Sequence, residues 1–522
     1  MKVFYIATEC KPFSAAGGVA SVAGELPFFL KALGIDVEVV IPEYGCTKLS
    51  SKDAEGNNRI TDITPARTVE VRLNGKVKPA EITKCKLREK NLLMRDGSKQ
   101  DIEFPVTLIG SPEFFGKKGE DPKQNSYAGV YVNSGVLNHP PFYDDALRFS
   151  FFSEACFELV RQNSEAIIHG NDWPSAYLFG RMATNKLPNK RVLTIHNIGY
   201  QGNMQKENVP GSTIWELSQD SLTKDKFQDP SRPNDINAMR LAMELSDITT
   251  AVSPSYAEEI TQPEDEKRYF EGGKGLHEVA ARLKKEGRLV GILNGLKYGT
   301  MPSEEALQET LRKKEEEKRN LAKQAEFSNP DGMLIGFVGR AVSQKLRLLK
   351  EHIDGKPVLE RLLDIPKTNT NFAFLCTGQQ EYHELLQEYS RKYGKKCFVS
   401  LKYDPELARQ INFASDYIQM FSDSEPCGIV QFEAFSRATP VLANRVGGLS
   451  DTIDASRGLL SIGKDAKTGE EVLRSIVETT NQAVNAYYKQ PNAFRQMQKN
   501  AFNARFPWDD AAKKYIETYK KL

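Results

Sequence analysis

A chain of 522 residues with 40% hydrophobic content carries enough apolar material for two cores, so two domains are expected. Its 71 basic and 69 acidic residues leave a net charge of +2, which argues against a nucleic-acid binder working through a broad basic surface. Seven cysteines without CxxC spacing and six histidines without an HExxH or HxxxH pair speak against a disulfide framework or a structural zinc and fit a reducing cytosol.

The chain opens on MKVFYIATECKPF, where a short apolar run is broken by Glu9, Cys10 and Lys11. That pattern predicts a buried first strand over residues 2–8 rather than a signal peptide. No run approaches the roughly 18 apolar residues of a membrane span, so a soluble, cytoplasmic protein is expected. A small-residue loop with Gly17 and Gly18 follows. Then residues 19–33 place Val22, Leu26, Phe29 and Leu30 on one helical side, and VEVVI at 37–41 is a second strand. This is a βαβ unit whose glycine loop lies at the carboxyl end of its first strand.

From residue 61 to 108 the alternation of TVEVRL, AEITKCKL and DIEFPVTLI predicts hairpins added to the first domain. The stretch from Gly110 to Pro141 is rich in Gly, Pro, Asn and Tyr and predicts a long ordered loop beside the site. A helix then carries Asp144 near its start. Two apolar strands end in polar loops, AIIHGNDWPSAYL with Asn171 and VLTIHNIGYQGN with His196, where open α/β sheets put ligands. A helix, a strand and a second helix capped by Ser253 and Pro254 come next. EGRLVGILNGLKYGTMP closes the first domain near residue 298.

Residues 304–326 form a dense charge run, which predicts a solvated surface helix. MLIGFVG begins a second sheet and leads into Arg340 and Lys345, a fork and a point charge whose separation suits a diphosphate. Strands at 372–378 and 397–403 follow, the latter ending in Tyr403, by itself an edge aromatic. In residues 421–452, Glu425 stands between Ser424 and Pro426. Gly428 is expected to open an amphipathic helix whose free N–H groups could receive an anion. The strand TPVLAN then leads to Gly447 and Gly448, where backbone can approach a ligand.

These blocks resemble, in order and over nearly the whole chain, bacterial glycogen synthases and plant starch synthases. Glu425, Pro426, Cys427, Gly428, Gly447, Gly448 and Leu449 match the family's EPCG and GGL segments. AAGGVASVAGELP follows its KxGGL–ADV–LP frame, HGNDW its HAHDW, TIHNIGYQG its TxHNxxYQG, and GRAVSQK its SRLxxQKG. The resemblance implies an α/β GT-B architecture of two Rossmann-like domains facing a cleft, 1–298 on the acceptor side and 299–502 for the nucleotide sugar. Residues 503–522 are implied to form a helix crossing back to the first domain.

The activity implied is retaining transfer of a hexosyl, in the first place glucosyl, group from a nucleoside diphosphate sugar, ADP-glucose or a UDP-sugar, to a glycan or other hydroxyl acceptor. No metal or cofactor is implied. The resemblance assigns Arg340 and Lys345 to the donor phosphates, Glu425 to the sugar hydroxyls, and Gly17, Gly18, Gly428, Gly447 and Gly448 to close backbone contact. It assigns Tyr403 to the donor base, and His196, Asp144 and Asn171 to the sugar or acceptor pocket. Ala15, Ser21, Asn171 and Val430 depart from the family's lysine, aspartate, histidine and threonine. Two alternatives therefore stand beside the main reading: a different donor or a non-glucan acceptor, and a non-catalytic glucan-binding or regulatory paralogue.

Overall fold

A computed structural model describes residues 1–53, 55–73, 75–131, 143–209, 212–365 and 369–522. Residues 132–141 of the loop expected up to Pro141 lie outside the described residues. The first sheet runs from Leu289–Gly291 through Ile248–Ala251, Arg191–Ile195, Ile167–Asn171, Lys2–Ile6 and Asp36–Glu43 to Lys99–Gly110, all parallel. Lys76–Leu93, Ile60–Thr61 and Arg67–Leu73 extend it antiparallel, which accounts for the expected hairpins. Val3 to Ile6 of the strand Lys2–Ile6 read as an unbroken apolar run because helices cover both faces of a parallel sheet.

The helix Gly18–Ala32 buries Val22, Leu26, Phe29 and Leu30 as the spacing predicts, and it continues through Pro27. Proline cannot donate to the carbonyl of Ala23 four residues back, and the Cys10 thiol donates there instead, at 3.3 Å. The order of strands reverses between Lys2–Ile6 and Ile167–Asn171, so Glu9, Asn171 and His196 emerge around one switch point.

The second sheet is parallel throughout, in the order Cys397–Ser400, Asn371–Gly378, Leu334–Ala341, Tyr417–Met420, Val441–Asn444 and Gly458–Ser461. Its switch point lies between Leu334–Ala341 and Tyr417–Met420, the strands that lead to Arg340 and to Glu425. The helix over the charge run is present as Glu304–Gln324 and most of it is exposed, as expected, but one face is packed. Lys314 is buried, its Nζ donating to Phe413 O at 2.9 Å, to Thr439 Oγ1 at 2.6 Å and to Ser415 O at 2.5 Å. Lys318 pairs with Asp416 at 2.6 Å. Long lysine stems bury apolar length and deliver the ammonium to carbonyls, so spacing of apolar residues alone missed this face.

Two chain crossings lie side by side between the sheets. Leu296 N donates to Phe506 O at 2.8 Å, and Phe506 N to Tyr298 Oη at 3.1 Å. A Cβ on Gly295 would stand 2.5 Å from Trp508 N, so the close crossing admits only glycine. The last helix, Trp508–Lys520, packs back on the first sheet, with Trp508 Nε1 on Glu25 at 2.6 Å and Tyr519 Oη on His169 Nδ1 at 2.7 Å. No helix among the described residues is long and apolar enough to cross a membrane.

Candidate functional site

On the second sheet's face, Lys345 sits in the first turn of the helix Ser343–Lys350, and its Nζ meets Glu425 Oε2 at 2.5 Å. The two charges predicted separately thus satisfy each other across a mostly buried contact, with Ser422 Oγ at 3.4 Å from the same oxygen. Arg340 is exposed at the end of its strand. Tyr403 is 85% exposed in the loop after Cys397–Ser400. The helix expected to open at Gly428 begins two residues later, as Val430–Ser436, and Gly428 takes φ 75° in the turn before it.

Gly447 and Gly448 open the short helix Gly447–Thr452. Both glycines are demanded by the protein's own backbone: a Cβ on Gly447 would lie 2.1 Å from Glu425 O, and one on Gly448 2.3 Å from Cys427 O. Gly448 N donates to Glu425 O at 3.1 Å. The N–H of Gly447 goes to Glu259, at 2.8 and 3.0 Å to its two oxygens, and that carboxylate comes from the first domain. Lys464 completes the contact at 3.1 Å from Glu259, while burial pushes the Glu259 acid upward.

On the first sheet's face, Asn171 is buried. Its Oδ1 accepts from Tyr5 Oη at 3.0 Å and its Nδ2 donates to Ile6 O at 2.9 Å. Those partners fix the amide's orientation, so the 2.8 Å contact from Oδ1 to His196 Nε2 requires the hydrogen on Nε2 and leaves Nδ1 as an acceptor. Burial holds His196 neutral by pushing its pKa down to about 3. Asp172, at φ 54°, accepts the backbone N–H of His196 at 2.7 Å, and burial pushes its acid up to about 7. Asp144 accepts from Tyr127 Oη at 2.6 Å.

The first glycine loop is open where the second is packed. Ala15, Ala16 and Gly18 are exposed, and a Cβ on Gly18 would meet nothing within 4 Å. The N–H groups of Ala16 and Gly17 point instead at the buried carboxylate of Glu9, which accepts from Gly17 at 3.0 and 3.1 Å. Burial raises the Glu9 acid, against the backbone N–H groups that it accepts and, more weakly, the Arg340 guanidinium.

Further contacts hold the faces together. Ser253 Oγ caps its helix at Tyr256 N and donates to Pro426 O at 2.7 Å, and Ser255 reaches Asp451 at 2.8 and 2.9 Å. Cys427 and Phe432 pack into the first domain's core. The structure therefore brings Lys345 to Glu425, and His196 to Asn171, and leaves Tyr403 apart. Glu9, Asp172 and Glu259 were missed. Each is a carboxylate made specific by backbone N–H groups that the fold brings to it, and only the HGNDW block, for Asp172, carried a sequence signal. Among the described residues no group of His, Cys, Asp and Glu is placed to hold a metal ion.

A family profile described as "Starch synthase catalytic domain" matches residues 2–282, and one described as "Glycosyl transferases group 1" matches residues 318–493. The chain is 28% identical to a protein named glycogen synthase from Alkaliphilus metalliredigens, covering 100% of both chains. It is 29% identical to one of the same name from Clostridium novyi, over 100% of this chain and 99% of that one. Among solved structures it is similar to the catalytic domain of starch synthase IV from Arabidopsis thaliana bound to ADP and acarbose. The TM-score there is 0.75 and the identity 26%, covering 100% and 99% of the two chains.

Proposed function

The chain belongs to the starch synthase catalytic domain family, a GT-B glycosyltransferase using a nucleotide sugar, and we propose that it moves glucose from ADP-glucose to a growing α-glucan with retention. Full-length likeness to proteins named glycogen synthase supports this over a different donor or acceptor and over a non-catalytic paralogue. We take the division of labour to fall at residue 298, with 1–298 holding the acceptor and 299–502 the donor, and place the protein in the cytoplasm.

The observation that carries the reading is the Lys345–Glu425 pair at the carboxyl end of the second sheet, with His196 and Asn171 paired at the carboxyl end of the first. Departure of a nucleoside diphosphate from an anomeric carbon builds charge on phosphate oxygens and leaves an oxocarbenium-like sugar. Preorganised cations stabilise that charge, and same-face displacement needs no protein nucleophile. In the structure Lys345 and Glu425 neutralise each other. An arriving diphosphate competes for Lys345 and Arg340, and Glu425 is then free to accept the sugar's hydroxyls. With those two cations on the phosphates, no metal is required.

Gly18, exposed and sterically open, admits the donor's approach on the first face, and Tyr403 supplies a ring for the base. Asn171 acts as a positioning residue, because its amide sets the tautomer and tilt of His196. His196 and Asp144 line the sugar or acceptor pocket. The test is calorimetry with ADP-glucose and UDP-glucose, followed by product analysis with glycogen and with excess chelator. Chelator-insensitive lengthening of α-glucan chains from ADP-glucose is expected. Binding of neither nucleotide sugar would refute the proposal.

A further inference from the structure

A segment of the first domain, residues 262–276, crosses to the second domain and returns. Its tip is a closed loop: Asp265 N and Phe270 N donate to each other's carbonyls at 2.8 and 3.0 Å, and the Asp265 carboxylate accepts from Arg268 Nε at 2.7 Å. The tip docks on the second domain. Arg347 lies 5.0 Å from the centre of the Tyr269 ring, and Arg268 Nη1 donates to Ala466 O at 3.1 Å. A Cβ on Gly469 would stand 2.4 Å from Lys267 O, so backbone rests on backbone. Arg347 belongs to the same helix, Ser343–Lys350, that carries Lys345.

From the tip the strap turns back into the cleft at Glu271. The turn needs the two glycines that follow, since a Cβ on Gly272 or Gly273 would lie 2.5 Å from Gln262 O or 2.3 Å from Ile260 O. The Glu271 carboxylate is thereby placed between the domains. One oxygen accepts the hydroxyl of Ser424, and the other lies 2.9 Å from where a Cβ on Gly199 would be, in the loop that follows His196. Ser424 directly precedes Glu425. Burial raises the Glu271 acid, Ser424 and Lys274 act against that, and Glu264 and Glu425 are like charges acting on it.

We propose that Glu271 is a positioning residue for glycosyl transfer: by holding Ser424 it fixes the turn that aims Glu425 at the transferred sugar, and the docked strap holds Glu271. This rests on the assignment of Glu425 to the sugar. A carboxylate is not required for the task, only an acceptor at that place, so glutamine should serve where alanine fails.

The experiment compares wild type, Glu271→Ala and Glu271→Gln in the full chain. It titrates ADP and ADP-glucose by calorimetry and measures kcat and KM for transfer to glycogen, with UDP-glucose and UDP substituted if that is the donor turned over. Glu271→Ala is expected to bind ADP as wild type does but to lose about tenfold in transfer, through kcat or through the added affinity of the sugar. Glu271→Gln should stay within about threefold of wild type.

If Glu271→Ala does not fold, Tyr269→Ala, which loosens the tip without altering the cleft's own side chains, is read by the same criteria. An active wild type with an equally active alanine variant overturns the positioning role alone. Equal weakening of ADP and the nucleotide sugar, or a glutamine variant as impaired as the alanine one, reduces Glu271 to a structural tie and also overturns it. A wild type that binds no nucleotide sugar removes the Glu425 assignment, and the role of Glu271 falls with it.

Discussion

The two glycine loops of the cleft look alike as sequence and differ as structure. Gly18 faces open space, and the N–H groups of Ala16 and Gly17 beside it are covered from within their own domain by Glu9. Gly447 and Gly448 are pressed against the carbonyls of Glu425 and Cys427, and the N–H of Gly447 is covered from the other domain by Glu259. A glycine pair is a statement about backbone distance, and the partner at that distance can be a ligand or the protein itself. The first loop keeps room for a ligand, whereas the second spends its glycines on seating the Glu425 turn.

Substitution at the packed loop should have the largest effect. Gly448→Ala forces a methyl group onto Cys427 O and is expected to destabilise the fold by about 3 kcal/mol or to prevent folding, read from the urea midpoint. An unchanged midpoint would erase the contrast between the loops. Next, Lys345→Ala removes a charge-assisted phosphate contact from the second face. ADP affinity should fall more than tenfold, on the order of 1.5 to 3 kcal/mol by calorimetry. Equal affinities would take Lys345 out of the donor site.

A smaller effect separates the faces by pH. The Asp172 acid is raised from 3.8 to about 7 by burial, so the folded state holds its proton more tightly than the unfolded chain does. Its contribution to stability is full below about pH 4 and is lost as pH rises through 7. His169 and His196, lowered from 6.5 to about 3, act in the opposite direction and cost stability as pH falls below 6.5. Asp172→Asn removes only the carboxyl component. Denaturant midpoints of variant and wild type should therefore diverge in the variant's favour between pH 4 and 7, and parallel curves would contradict the raised acid. The smallest effect belongs to the open loop: Gly18→Ala should stay within about 1 kcal/mol of wild type in stability while altering donor binding.

The architecture was legible because parallel strands buried on both faces and amphipathic helices announce themselves by periodicity, and because the Lys345 and Glu425 blocks lie at strand ends. What stayed hidden was set by contacts between distant segments. The charge run 304–326 reads as a wet surface, yet Lys314 and Lys318 pin it to the second sheet. The start at Gly428 is displaced to Val430 because Gly428, at φ 75°, belongs to the turn rather than the helix. Glu259 and Glu271 are unremarkable as residues and become specific only when an N–H or hydroxyl from elsewhere in the chain meets them.

Glu425 is assigned to the transferred sugar and Lys345 to the leaving diphosphate, although the two neutralise each other in the structure. The direct measurement sets Glu425→Gln against wild type, with ADP binding by calorimetry alongside glucose incorporation into glycogen from ADP-glucose. Losing its partner carboxylate should leave Lys345 at least as available to ADP, so the variant is expected to bind ADP as tightly as wild type or more tightly and to transfer no glucose. A Glu425→Gln enzyme that transfers at the wild-type rate, or that binds ADP much more weakly, would contradict the account.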